Sequence, residues 1–203
     1  MNLTKVILIA CFLSTLPFAA KAGANEDVEA LFDKGVELLA DKQYVTAVEI
    51  FTQLANQGVP EAQYNLSVLL NNGLGAPISY ELSLYWAWYA HLGGHPSAAQ
   101  QVEKIQAIIT DDLRNIVAEK IIEELITLAE DGEKNAALNL GLTNLDLLVT
   151  PDLANAYIWL SIAQAYGLED ASTRLKEVAD LLTIEEIQTH QASASAKFAE
   201  ILK

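Results

Sequence analysis

Cysteine and histidine are scarce in this sequence of 203 residues, which contains one cysteine, Cys11, and three histidines. A disulfide framework or a cysteine metal centre requires several thiols at defined spacings, so both are excluded. Proline and glycine are also few, with five and ten residues in a composition that is 52% hydrophobic. That composition indicates one globular or repeat domain.

Basic residues are in short supply. Twelve lysines and arginines stand against 27 acidic residues, which gives a net charge of −15. Because this charge repels phosphate groups, nucleic acid and anionic membrane surfaces are disfavoured as partners. A charged protein partner is expected to be basic.

Motifs for catalysis and cofactor binding are missing from the sequence. It contains no G-x-S-x-G, H-E-x-x-H, P-loop or EF-hand pattern. His91 and His95 have the spacing of two metal ligands on one helix face, but Gly93, Gly94 and Pro96 indicate that the helix has ended. We therefore predict no catalytic residue, no metal site and no cofactor.

Residues 1–22 have the pattern of a secretory signal peptide. Lys5 supplies a positive charge, residues 6–20 are almost wholly apolar, and Ala20-Lys21-Ala22 or Ala22-Gly23-Ala24 supplies a small-x-small cleavage site. The apolar stretch is shorter than the roughly 20 residues that a membrane-spanning helix needs. Cleavage after Ala22 removes two lysines, which leaves a soluble periplasmic or secreted chain with a net charge of −17.

Leu8-Ile9-Ala10-Cys11 resembles the lipobox of bacterial lipoproteins, in which Cys11 would be acylated. Only about five apolar residues precede that point, where a signal core has roughly seven or more, and Phe12 and Leu13 continue the apolar run. A cleavable signal is therefore favoured over a lipid anchor. The mature chain would contain no cysteine, which suits an oxidising compartment.

The remaining chain repeats itself. A first block recurs after 74 positions: Ala55, Gly58, Ala62, Asn65 and Leu66 return as Ala129, Gly132, Ala136, Asn139 and Leu140. A second block recurs after 73 positions: Trp86, Ala90, Gly94, Ala98 and Thr110 return as Trp159, Ala163, Gly167, Ala171 and Thr183. The glycines within each half are 36 and 35 residues apart, a period typical of a solenoid.

Apolar residues at helical spacing predict about ten amphipathic helices and no sheet. We predict them at residues 25–40, 43–57, 60–71, 79–93, 96–109, 111–131, 134–145, 151–166, 169–181 and 184–202. Thr183 and Glu186 fit a capping box, and Thr150 is a predicted N-cap. The two recurring tryptophans, Trp86 and Trp159, are predicted to be core wedges beside the small residues that let neighbouring helices approach.

These residues resemble a known family. The pattern A-x-x-G-x-x-x-A-x-x-x-L, followed by small-x-x-W-x-x-x-A-x-x-x-G, is similar to Sel1-like repeats, which are relatives of the tetratricopeptide repeat. Residues 59–94 and 133–168 resemble full units, and 27–58 resembles a more degenerate helix pair. Ser83 stands where the family has Ala, and helix 96–109 is interpreted as an insertion between units.

The resemblance implies an all-α solenoid of antiparallel helix pairs that holds other proteins. Secreted members serve as adaptors in the bacterial envelope, which is the function predicted here. Two alternatives are an envelope hydrolase of the β-lactamase-like branch and a structural component of a flagellar motor or secretion machine. The hydrolase branch relies on disulfides that this mature chain lacks, and turnover by such an enzyme would be abolished by His95→Ala.

Three residues are candidates for partner binding. Trp88 lies about 200° around the helix from Trp86, and its counterpart is Ser161, so it is interpreted either as an exposed binding residue or as core covered by helix 96–109. Asn65 and Asn139 recur at one place on the first helix of each unit, which lines the concave side in related solenoids. The alternative for both is a side chain that bonds to a neighbouring helix end.

Two further surfaces could contact a partner. An acidic cluster lies around one turn and at the start of the long helix before it, and it would favour a basic partner if it faced the concave side. Its members are Asp111, Asp112, Glu119, Glu123, Glu124, Glu130, Asp131 and Glu133. The last helix carries an apolar stripe that either caps the array or docks a partner. That stripe consists of Ile184, Ile187, Ala194, Phe198 and Ile201.

Overall fold

The computed structural model of the protein describes residues 22–203, with side chains from Asp27 onward. The predicted signal cleavage region and Cys11 lie outside the described side chains. The described chain forms ten α-helices: α1 Ala22–Ala40, α2 Tyr44–Ala55, α3 Pro60–Asn72, α4 Tyr80–Leu92, α5 Ala98–Gln106, α6 Asp111–Glu130, α7 Lys134–Leu142, α8 Leu153–Ala165, α9 Glu169–Ala179 and α10 Ile184–Ile201. A π-helical turn, Thr143–Leu147, continues α7.

The helices stack as an α-solenoid, which confirms the predicted all-helical fold. Helices that follow one another along the chain pack together, except at the α5–α6 and α9–α10 junctions. At those two places the second helix packs back on an earlier one, α6 on α4 and α10 on α8. Residues 22–203 contain no strand, so each helix buries its apolar stripe against other helices alone.

Four glycines mark the ends of α2, α4, α6 and α8. Gly58, Gly94, Gly132 and Gly167 have φ angles of 80°, 81°, 91° and 81°. Each glycine N–H donates to the carbonyl three residues back, and the next N–H donates to the carbonyl five residues back. This is the Schellman arrangement, which needs a left-handed residue. These glycines therefore divide the described chain into five segments of two helices each.

The internal duplication spans four helices in each copy. Helices α3–α6 form the first copy and α7–α10 the second, and the offset of 73 residues runs through to the N-caps Thr110 and Thr183. The interpretation of helix 96–109 as an insertion is wrong, because α9 is its counterpart. Ala98 and Ala171, at matching places on α5 and α9, are both fully buried.

Small residues allow the paired helices to approach closely. The repeated alanines and leucines are all buried: Ala62, Leu66, Ala90, Ala136, Leu140 and Ala163. Gly141 on α7 lies so close to α8 that an added Cβ would stand 2.5 Å from Cγ of Leu160. Gly141 and Leu160 correspond to Ser67 on α3 and Ala87 on α4 in the first copy. The larger residue of the contact is therefore on α3 in the first copy and on α8 in the second.

The recurring tryptophans face the preceding part of the array. Trp86 on α4 is half-buried against a cluster built from α1, α2 and α3. Trp159 on α8 is buried in the cluster built mainly from α4 to α7. Helix α10 lies over the second indole, with Nζ of Lys197 4.9 Å from the ring centroid of Trp159.

Helix α10 packs on α8, as the cap prediction requires, but only part of its apolar stripe is covered. Ala194 is buried, and Phe198 and Ile201 are partly buried against the main cluster. Ile184 is 72% exposed. The predicted capping box is present, with Thr183 and Glu186 bonded reciprocally. The predicted N-cap Thr150 is wrong, because the side chain of Asp152 caps α8 instead.

Candidate functional site

Asn65 and Asn139 occupy matching places on α3 and α7, and both are half-buried. Neither side chain makes a hydrogen bond within residues 27–203, so the alternative of a bond to a neighbouring helix end finds no support there. The two helices belong to separate copies and do not pack extensively on each other. The structure therefore does not unite the asparagines in one site, and their binding role stays a prediction.

Trp88 is not an exposed binding residue. It is 3% exposed, and its indole N–H donates to Oγ1 of Thr143 at 3.0 Å. Thr143 begins the π-helical turn, and Val102 and Ile105 of α5 belong to the same buried cluster. The second sequence interpretation, a core residue covered in part by the helix that follows, is the one the structure supports.

The histidines of the first copy take part in packing. The imidazole of His95 stacks on the ring of Tyr64 with centroids 4.2 Å apart, and its Nδ1 accepts from the N–H of Ser97 at 3.3 Å. Burial lowers the pKa of His91, although the nearby carboxylate of Asp146 opposes that shift. No group of three or more potential metal ligands lies together in the part of the chain with described side chains.

One residue of the acidic cluster is partly buried, and the others are exposed. Glu124 is half-buried on α6, and its Oε2 accepts from the hydroxyls of Tyr85 and Tyr89 at 2.7 and 2.8 Å. Burial raises the pKa of Tyr89 well above its usual range, and neighbouring Tyr85 and Glu124 add to the effect. Glu124 therefore links α6 to α4 through these hydrogen bonds and is not part of an exposed acidic surface.

A groove of about 440 Å³ lies in the second copy, between α9 and α10. Helix α8 forms its floor. Its lining includes Tyr157, Ser161 and Gln164 from α8, Leu175 from α9, and Gln191 and Phe198 from α10. Both apolar and polar side chains line the groove. We name this feature the C-terminal groove.

The matching region of the first copy is filled. The counterparts of groove residues Tyr157, Leu175 and Phe198 are Leu84, Val102 and Leu125, and all three belong to the main buried cluster. Ser161 corresponds to Trp88, whose indole lies in that cluster. The replacement of Trp by Ser, and of Ile121 by Ala194, removes the side chains that occupy this space.

A covering element also distinguishes the two copies. In the first copy, Nε of Arg114 on α6 donates to the carbonyl of Leu147 at 2.7 Å, and Oδ1 of Asn115 accepts from the N–H of Val149 at 3.0 Å. These bonds hold the π-helical turn and the segment after it against α6. The counterparts on α10 are Ile187 and Gln188, and no described element lies over α10 in that way.

Sequence reasoning missed the C-terminal groove, although it noted the pair Trp88 and Ser161. Ser in one copy favours an exposed position in both under one of the two sequence interpretations of Trp88, and neither interpretation predicts a groove. The informative signal was the change of several matched residues to smaller or more polar ones, which includes Ala118 to Gln191 and Ile122 to Ser195. A groove with such a mixed lining can accept an aromatic group that carries a polar atom.

The fold and groove define a helical repeat protein with an open site at one end. No protein-family model matches the chain, and no curated protein matches it either. Among solved structures, the chain is similar to a Sel1 repeat protein from Oxalobacter formigenes, with 19% identity and a TM-score of 0.40 over 87% of this chain and 76% of the other.

A second similar structure is a protective antigen present in uropathogenic Escherichia coli strains that displays an SLR fold. It has 17% identity and a TM-score of 0.34, and the match covers 88% of this chain and 47% of that protein. The present chain thus spans about half the length of that antigen. The first description names the repeat that the sequence motifs resemble.

Proposed function

We propose that the protein is an exported, non-enzymatic adaptor that holds other proteins on its helical array. The observation that carries this proposal is the C-terminal groove, because the chain fills the matching region of its first copy with its own side chains. A groove that the protein leaves open, lined by apolar and polar side chains, offers surface to another molecule. The resemblance to Sel1-like repeats supports the same reading.

Export is supported by the signal pattern in residues 1–22. Among the described helices, none is both long enough and apolar enough to cross a membrane. We expect cell fractionation of a bacterial host to place a shortened protein in the periplasm or medium, with an N-terminus at Gly23 or Asn25. An uncleaved cytoplasmic protein, or membrane attachment that is lost in Cys11→Ser, would contradict this localisation.

The adaptor role is tested by photocrosslinking in intact cells. A photoreactive amino acid is placed at Asn65, at Asn139 and at Gln191 in the C-terminal groove, with Ser193 of α10 outside the groove lining as the matched control position. We expect an adduct with a different protein from at least one of the three positions and a weaker one from the control. Absence of any such adduct from all three would contradict the proposal.

A further inference from the structure

We propose that the C-terminal groove binds an aromatic side chain carried by a helix of a partner protein, in the place that the Trp88 indole takes in the first copy. This inference rests on the proposed adaptor function and names the chemistry of its partner. The occupant is another protein, neutral or basic in charge, rather than a second copy of this chain.

The shape of the groove follows from the duplication. Its floor position holds Ser161 where the first copy holds Trp88, and its α10 wall holds Ala194 where the first copy holds Ile121. The remaining walls keep large apolar residues at matching places, Tyr157, Leu175 and Phe198. Each of these three is larger than its counterpart in the first copy, so the room for an aromatic ring comes from the smaller residues Ser161 and Ala194.

The polar groups suit a ring that carries one hydrogen-bonding atom. In the first copy, the Trp88 N–H is satisfied by the hydroxyl of Thr143. In the second copy, the hydroxyl of Ser161 donates to the carbonyl of Tyr157 at 2.7 Å, so its oxygen keeps lone pairs that can accept. Gln164 and Gln191 also line the groove, where Nε2 of Gln164 donates to Oγ of Ser172 at 3.1 Å and Nε2 of Gln191 donates to the hydroxyl of Tyr157 at 3.4 Å.

We expect the aromatic side chain to belong to a helix of the partner, because a helix of this chain occupies the matching position in the first copy. Helix α7 packs on α6, and the π-helical turn that follows it lies beside α6 and Trp88. The open side of α10 continues this established interface. Leu181 and Ile184, which are 67% and 72% exposed at the α9–α10 turn, provide apolar surface for further residues of the same helix.

The net charge of the chain favours a different protein over a second copy of this chain as the occupant of the groove. The chain beyond Ala22 carries a net charge of −17. Two such chains repel each other, whereas a neutral or basic partner does not experience that repulsion.

The first test uses N-acetyl-tryptophanamide as the probe and the 15N-labelled protein without its signal. We expect saturable NMR shifts centred on the amides of Ser161, Gln191 and Phe198, and none with N-acetyl-alaninamide. Shifts spread over the molecule, or no shifts, would overturn the proposal.

A pair of matched variants tests the place of binding. Ser161→Trp fills the groove from its floor, and we expect at least a tenfold loss of probe affinity. Ser193→Trp adds the same side chain outside the groove lining and should leave affinity unchanged. Circular dichroism verifies folding of both, and Ala194→Ile serves as a second groove-filling variant. Equal affinity in a folded groove-filling variant and the control overturns the proposal.

Crosslink mapping identifies the occupant. With the photoreactive residue at Gln191, we expect the adduct on a different protein, at or beside a Trp, Tyr or Phe in a helical segment. An adduct with a second copy, or on a segment without an aromatic residue, overturns the inference. Adducts from Asn65 or Asn139 but not from Gln191 would contradict the groove proposal and still support the adaptor function. Absence of adducts from all three positions would contradict both proposals.

Discussion

The residue type at many positions of this protein depends on the distance between neighbouring helices and on whether another element covers the position. Gly141 is required because α8 leaves no room for a Cβ, whereas the four Schellman glycines meet no atom within 4 Å and are required by their positive φ angles. Trp88 and Ser161 show the second effect. The same place on two equivalent helices holds a buried indole or a partly exposed hydroxyl, according to whether another element covers it.

Gly141→Ala is expected to destabilise the protein by about 1–3 kcal/mol, because the new Cβ would overlap the side chain of Leu160. Chemical denaturation followed by circular dichroism measures the change. Leu160→Ala is the companion variant, since it opens a cavity at the same contact and is destabilising by itself. The double variant should lose less than the sum of the two, and simple additivity would contradict the proposed contact.

Tyr89→Phe is expected to lower the free energy of unfolding by about 1.5–3 kcal/mol at neutral pH, because it removes a hydrogen bond to the Glu124 carboxylate. The pKa of Tyr89 is raised in the folded state, so its hydroxyl stays protonated there while the unfolded chain ionises above pH 10, the ordinary tyrosine value. The stability of the native sequence should therefore fall faster with pH above that value. Denaturation curves at several alkaline pH values should show the variant and parent converging, and parallel curves would contradict the burial of Tyr89.

At the scale of helices, the sequence predicted most of the fold. All ten predicted helices exist in residues 22–203, and each end lies within three residues of the predicted one. The amphipathic periodicity and the glycine stops are local signals, which is why they sufficed. Two features depend on packing between distant segments: the π-helical turn after α7 and the hydrogen bonds from two tyrosines to Glu124. No local sequence pattern predicts them.

Helix α10 illustrates the same limit. Its apolar stripe predicted a cap, and the match of Thr110 with Thr183 related the starts of α6 and α10, but no local pattern showed that α10 packs on α8. Helix α6 packs on α4 in the same way, so the groove between α9 and α10 follows from the smaller residues Ser161 and Ala194 and not from the helix arrangement alone.

Deletion of residues 184–203 is expected to lower the thermal midpoint by several degrees. The deletion uncovers Trp159 and removes the contact between Phe198 and Tyr166, whose ring centroids are 5.2 Å apart. Scanning calorimetry measures the midpoint. Deletion of Leu202 and Lys203 alone is the control and should change little, because both residues are exposed. An unchanged midpoint in the longer deletion would show that α10 does not cap the array.

At the scale of the whole molecule, one four-helix block is used twice with different surroundings. The first copy is enclosed between α2 and α7, and its interior is filled. The second copy has an enclosed side toward α6 and an open side along α9 and α10, where matched positions carry smaller or more polar residues. Duplication therefore supplies the fold, and divergence between the copies supplies the candidate site.

The crystal structure of the Ser161→Trp variant tests the equivalence of the two copies most directly. The account predicts that the new indole lies between α9 and α10 against Tyr157 and Phe198, with α8, α9 and α10 in their present positions. An indole that points into solvent, or helices that move apart to admit it, would contradict the claim that the groove is the vacated place of Trp88.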